Sequence, residues 1–275
     1  FYGGGVLQGD FSYVLDLANP VYTGAPDQAV FDAIYTDNPE QNVEDLGVYV
    51  SDNMTIGNWH ITAGVRYDNV DNDDGISEQS DSQFSFSGGL LYAFDNGVAP
   101  YISYAESFET VVGQTADGEQ LEPEEARQWE AGIKYEPGVI PGFFSAAYYD
   151  IEISNLPNPN ALPSTAGQQL GVSNLKGFEF EAKFQLEDVA MELAYSTIDA
   201  EDPNGFELSS VPDSQASVWV LWEPADWVEG LSIGGGIRHV GQSVSEDGTV
   251  RYETPSYTLA DVVVGYDIDD NISLA

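Results

Sequence analysis

His60 and His239 are the two imidazoles of a chain without cysteine, so ligation of a transition metal would have to begin with them. Neither has an HExxH partner or another ligand at metal-binding spacing. The expectation is of solvated or hydrogen-bonded histidines on polar strand faces, with no metal role. Asp71, Asn72, Asp73, Asp74 and Gly75 have the composition of a calcium loop, yet in the EF-hand register the first ligand position falls on Val70. That stretch reads as a solvated acidic loop. Glu106 and Ser107 adjoin, but no spacing in the chain supplies a nucleophile, a base and an orienting group together. The glycine triplets at 3–5 and 234–236 are not followed by helical sequence, so neither is read as a phosphate cradle. No catalysis and no cofactor are expected. What remains is recognition, and the elements that present it.

Charge narrows the partners. With 47 acidic and 7 basic residues the formal net charge is −40, which repels nucleic-acid phosphate and excludes a polybasic mode of membrane docking. No apolar stretch approaches the roughly 18 to 20 residues of a spanning helix. A chain of this kind enters a membrane only as a closed barrel, because lipid leaves no other way to satisfy every backbone group.

The hydrophobic pattern has a period of two. Trp129, Ala131, Ile133 and Tyr135 alternate with Gln128, Glu130, Gly132 and Lys134. Likewise Phe178, Phe180, Ala182, Phe184 and Leu186 oppose Gly177, Glu179, Glu181, Lys183 and Gln185. Residues 46–56 and 59–67 read as a hairpin about the turn Gly57–Asn58. The connections then alternate in length. Short ones are expected near 57–58, 95–97, 137–142, 187–188, 223–229 and 267–271, and long ones at 68–83, 109–122, 155–170, 200–212 and 242–253. Short turns at one end and long loops at the other are the mark of an up-and-down barrel; Greek-key crossovers would scramble that order. About 12 strands are counted after residue 42, with one more before residue 20. The expected class is all-β, an antiparallel up-and-down transmembrane β-barrel.

Aromatics and bases fit that reading. Trp59, Tyr67, Trp129, Tyr135, Trp222 and Trp227 fall near strand ends, where interfacial girdles lie. Arg66, Lys134, Lys183 and Arg238 are expected on the face opposite the apolar residues, where Glu130, Glu179 and Glu181 can pair with them. A soluble secreted β-protein and a passive porin stay open on the pattern alone.

The strings "GVYVSDNMTIGNWHITAGVRYD", "GGLLYAFDNGVAPYISYAESFE", "LEPEEARQWEAGIKYEP", "LGVSNLKGFEFEAKFQL", "VPDSQASVWVLWE" and "ETPSYTLADVVVGYDI" occur in that order. Together they resemble successive strands of TonB-dependent siderophore receptors, most of all the ferrichrome, hydroxamate-binding branch. The resemblance implies a barrel of about 22 strands in the outer membrane of a Gram-negative bacterium. It also implies an N-terminal plug domain that contacts TonB, and a final strand ending in an aromatic residue. Residues 1–275 are accordingly expected to be a barrel domain of about 12 to 13 strands, roughly its second half, without plug or terminal strand.

By the same resemblance the function is active import of a ferric siderophore energised by TonB, with the ferric chelate as cargo rather than cofactor. Outer-membrane lipid is the further partner. Phe11 and Tyr13, in "DFSYVLDLANPVY", are the aromatics expected to pack against the ligand at the extracellular mouth. Another cargo, cobalamin or an oligosaccharide, is the alternative within the family.

Overall fold

Alternation of apolar and polar side chains requires extended backbone, and extended backbone is what forms. A computed structural model describes residues 6–7, 35–36, 42–73, 75, 78–111, 114–115, 118–157, 169–224, 226–246, 250–269 and 272–274. By internal packing, residues 46–69 and 81–275 form one unit and residues 1–45 and 70–80 another. In the smaller unit β1 (Val6–Leu7) pairs with β2 (Tyr35–Thr36).

The principal sheet holds twelve strands among the described residues. They are β3 (Asn42–Ile56), β4 (Trp59–Asp73), β5 (Glu78–Tyr92), β6 (Val98–Glu109), β7 (Glu124–Tyr135), β8 (Gly142–Ser154), β9 (Val172–Leu186), β10 (Val189–Glu201), β11 (Ser214–Trp222), β12 (Leu231–Val240), β15 (Tyr257–Asp269) and β16 (Ile272–Leu274). Between β12 and β15, β13 (Ser243–Glu246) and β14 (Arg251–Thr254) pair as a separate hairpin. Each strand of the principal sheet lies beside its predecessor, so the topology is up-and-down throughout. The registers from β5 to β16 are antiparallel. β3 and β16 are the edges.

Turn chemistry sets the short end. Gly57 takes φ 59° in the two-residue turn to β4, a backbone conformation that costs glycine nothing. Glu187 takes the left-handed φ of 49° in the turn before β10 without that freedom.

One expected loop is largely strand. Residues 68–83 were read as a long acidic connection, but β4 continues to Asp73 and β5 resumes at Glu78. Val70, Asn72 and Gln79 are buried there. Backbone pairing with burial of alternate positions is sufficient to hold a strand, and an apolar sequence is not required. The extension moves Tyr67 away from the strand end near which it was expected, and Trp129, on β7, likewise has further strand on both sides.

The sheet's apolar face covers itself with nothing. Phe178 is 60% exposed, Trp129 56% and Val262 80%. Among the described residues the buried apolar side chains are few, Ala182, Ala200 and Tyr149 among them. A soluble sandwich would pack such a face against a second sheet.

Candidate functional site

Paired residues share a face, so the registers sort every side chain. On one face lie Ile102, Ala131, Tyr148, Phe178 and Thr197, in one row across five strands. The next row outward toward the long connections is Tyr104, Trp129, Asp150, Lys176 and Asp199. The row beyond is Glu106, Arg127, Glu152, Asn174 and Glu201. Within two steps this face changes from apolar to charged.

Aromatics mark both borders of the apolar band. Toward the short connections, Trp59, Tyr92 and Phe94 meet edge to face at 4.7 and 4.6 Å. At the same end Tyr135, Phe144 and Phe184 stack at 6.2 and 6.1 Å across three strands, and Trp222 stacks on Trp227 at 5.9 Å. Toward the long connections, the pairs are Tyr67 with Phe84, Tyr104 with Trp129, and Tyr148 with Phe178. Trp59 and Tyr67 are eight residues apart on β4, about 27 Å along a strand and ~20 Å of height at a tilt near 40°. That is close to the ~25 Å apolar band of outer-membrane barrels.

The opposite face carries a cleft of about 330 Å³ whose lining includes Tyr101, Glu130, Glu179, Glu181, Gln215 and Arg238. Tyr101 Oη donates to Glu130 Oε1 at 2.6 Å, and Gln128 Nε2 donates to the other oxygen at 3.0 Å. Lys134 sits over the Tyr101 ring, 5.1 Å from its centroid, rather than on a carboxylate. Lys183 lies 3.6 Å from both Glu181 and Glu192, and Arg66 grips Asp68 at 2.6 Å. The expected pairing of bases with carboxylates therefore holds for Lys183. Glu130 is satisfied by neutral donors instead, and among the described residues neither Glu179 nor Arg238 makes an ion pair.

Three aromatic side chains on this face close over glycines. A Cβ on Gly132 would meet the Tyr101 ring, one on Gly177 the Tyr149 hydroxyl, and one on Gly234 or Gly236 the Trp219 indole. Tyr149 also donates to the Thr197 carbonyl at 3.1 Å. Sequence reading missed all three, because a ring and its glycine belong to different strands.

Both faces and both girdles are those of a strand wall that crosses a membrane. The model of the TonB dependent receptor-like β-barrel matches residues 1–275. The chain belongs to the TonB-dependent receptor β-barrel family. It is 36% identical over 268 residues to the ferrioxamine B receptor of Salmonella typhimurium, covering 92% of this chain and 37% of that protein. It is 32% identical over 272 residues to the ferrichrome outer membrane transporter/phage receptor of Escherichia coli K12, covering 93% and 36%. The chain thus spans well under half the length of these relatives. The pyoverdine receptor FpvA of Pseudomonas aeruginosa superposes with a TM-score of 0.72 at 22% identity, covering 91% of this chain and 38% of that one. As a member of this family, the chain is a wall of an outer-membrane β-barrel. Its apolar face meets lipid and its charged face lines the lumen. The family's named relatives are receptors and transporters, not enzymes.

The remaining residues singled out by sequence fall as follows. His60 Nδ1 is 3.3 Å from Thr55 Oγ1, and His239 Nδ1 is 2.9 Å from Thr258 Oγ1. His239 is not on the polar face as expected: its partners Ala216 and Thr258 place it with Ile237 on the lipid side, near the long connections. No group of three or more metal-ligating side chains occurs among the described residues. Phe11 and Tyr13 lie outside the described residues.

Proposed function

We propose that this chain forms part of a receptor that captures a ferric siderophore of the hydroxamate class outside the cell and passes it inward when TonB acts on an N-terminal plug. The observation that carries the reading is the 36% identity to a ferrioxamine B receptor along 92% of the chain. The 32% identity to a ferrichrome transporter supports the same ligand class. The lumenal wall is compatible with a plug that presents basic groups to it. Glu179 and Glu181 line its cleft beside Glu130, and an acidic wall of this kind favours basic groups from whatever fills the lumen.

The ferric chelate is cargo on this reading, and no resident cofactor is needed. Phe11 and Tyr13 remain the aromatics proposed to pack against it. Replacing both by alanine in the complete receptor should weaken ferrioxamine B binding and leave the folded amount unchanged; unaltered binding would remove them from the site.

The decisive experiment is growth on ferrioxamine B as the iron source, using the complete gene in a strain that lacks its own receptor. Growth should require both the gene and TonB. Growth without TonB would point to a passive pore. Failure to bind the chelate, with binding of cobalamin or an oligosaccharide, would assign another cargo.

A further inference from the structure

β5 and β6 pair for only part of their length. Their register runs from Leu91↔Tyr101 to Ser87↔Ala105, although β5 reaches outward to Glu78 and β6 to Glu109. On its other side β6 stays paired with β7 from Val98↔Tyr135 through Glu109↔Glu124. Among the described residues the β5–β6 ladder therefore stops at Ser87 while both strands continue. The sequence supplies a reason. Gly88 and Gly89 lie just inside the last pair, and glycine within a strand weakens it and lets it bend.

Side chains take over where the ladder stops. Phe86, which the same register would set opposite Glu106, donates its N–H to Glu106 Oε2 at 3.0 Å. Tyr104 Oη donates to the other oxygen at 2.6 Å and holds the carboxylate in place. Further out, Gln83 Nε2 donates to Glu125 Oε1 at 2.8 Å, reaching past β6 to β7. Phe84 packs on Tyr67 of β4 with ring centroids 4.8 Å apart, so the outer part of β5 leans on β4. A cleft of about 340 Å³ at this place takes Phe86 and Glu106 from the lipid side of the wall and Ser87 and Arg66 from the lumenal side.

The change falls at the aromatic border marked by Phe84 and Tyr104. Within hydrocarbon an unpaired strand edge is too costly to stand, whereas at the border water and headgroups can satisfy its backbone groups. Backbone pairing is thus kept where lipid demands it and replaced by side chains where water is at hand.

We propose that β5 and β6 form a parting line in the wall, with Glu106 as its clasp. The outer ends of the two strands separate by bending about Gly88 and Gly89, so the wall spreads at the outer leaflet while the paired stretch stays sealed in hydrocarbon. No ladder bond has to break. The β6–β7 seam, paired as far as Glu109↔Glu124, serves as an internal control.

The test uses the complete receptor in lipid vesicles. Hydrogen exchange of residues 83–86 should exceed that of 88–91, and Glu106→Ala should raise it about tenfold further, the scale of a hydrogen bond to a charged group, with 88–91 and 125–129 unchanged. Glu106→Gln keeps an acceptor oxygen and should raise it less. Introduced disulfides read the spacing directly, since residues 1–275 hold no cysteine. Ser87→Cys with Ala105→Cys lies inside the ladder and should oxidise readily. Ser85→Cys with Ser107→Cys, the next pair on the same register, should oxidise roughly tenfold more slowly or worse, because a disulfide needs Cα atoms within about 7 Å. Equal oxidation of the two pairs would show a continuous ladder. Unchanged exchange with Glu106→Ala would show that the carboxylate clasps nothing, and a rise that spread into 88–91 would make it a support of the whole strand. Each of these results overturns the proposal.

Discussion

The indole of Trp219 occupies the space in which Gly236, its cross-strand partner, would carry a side chain. A ring over a glycine protects pleated backbone that would otherwise lie bare and fixes the register of β11 against β12. Gly236→Ala should therefore destabilise the receptor by about 1 to 3 kcal/mol, the usual cost of overpacking. At Gly235, on the other face, a Cβ meets nothing nearer than the Asp261 carbonyl at 3.5 Å. Gly235→Ala should be close to neutral. Urea titration of the complete receptor in lipid vesicles compares the two, and equal losses would remove the indole from the explanation.

Phe180 and Glu181 are neighbours that face opposite solvents. A cation at Phe180 must enter hydrocarbon, at about 2 to 4 kcal/mol near the midplane. A cation at Glu181 enters a polar lumen and gives up the Lys183 contact at 3.6 Å. Phe180→Arg should impair folding into vesicles and Glu181→Arg should do so much less. The reverse order would exchange the two faces.

Tyr101 holds Glu130 through a bond of 2.6 Å on the lumenal wall. Tyr101→Phe keeps the ring over Gly132 and deletes that donor, leaving the carboxylate with Gln128. Hydrogen bonds to a charged group contribute about 1.5 to 3 kcal/mol, less where water can replace the donor. A loss of about 1 kcal/mol is expected in the same titration. Tyr101→Ala should cost more, because it uncovers the glycine as well.

A net charge of −40 makes the acidic connections sensitive to salt. The Debye length falls from about 8 Å near physiological ionic strength to about 3 Å at 1 M, and repulsion among exposed carboxylates falls with it. Thermal stability of the complete receptor should rise between 0.05 and 0.5 M NaCl and with millimolar calcium, a trend read by circular dichroism. A flat response to both would mean that the carboxylates are already too far apart to repel.

The faces were legible in the sequence because the side-chain period of a strand is two. Trp129 and Ile133 separate from Glu130 and Lys134 without any structure, and Gly57–Asn58 announces its own turn. Two things were not legible. Where polar residues continue a strand past the apolar band, as from Asp68 to Asp73, composition imitates a loop while backbone pairing continues. And where a polar side chain sits on the apolar face near its border, as His239 does, its type suggests the wrong side, although it follows Arg238 on the same strand and the two must point opposite ways. Contacts between strands, such as Trp219 on Gly236 or Tyr149 on Gly177, depend on register, and a single chain read along its length does not display register. Membership in a receptor family came from strings in order, and the match along residues 1–275 agrees with it.

The unequal connections also divide where heredity can experiment. At the two-residue turns 57–58 and 187–188 one inserted residue would shift the following register and exchange every lipid-facing side chain for a lumenal one. At 110–123, 155–171, 202–213 and 241–256 a doubling of length costs only about 0.6 kcal/mol in closure entropy. Descendants of this chain can therefore diversify at one rim, trying new shapes against new molecules, while the opposite rim stays almost frozen.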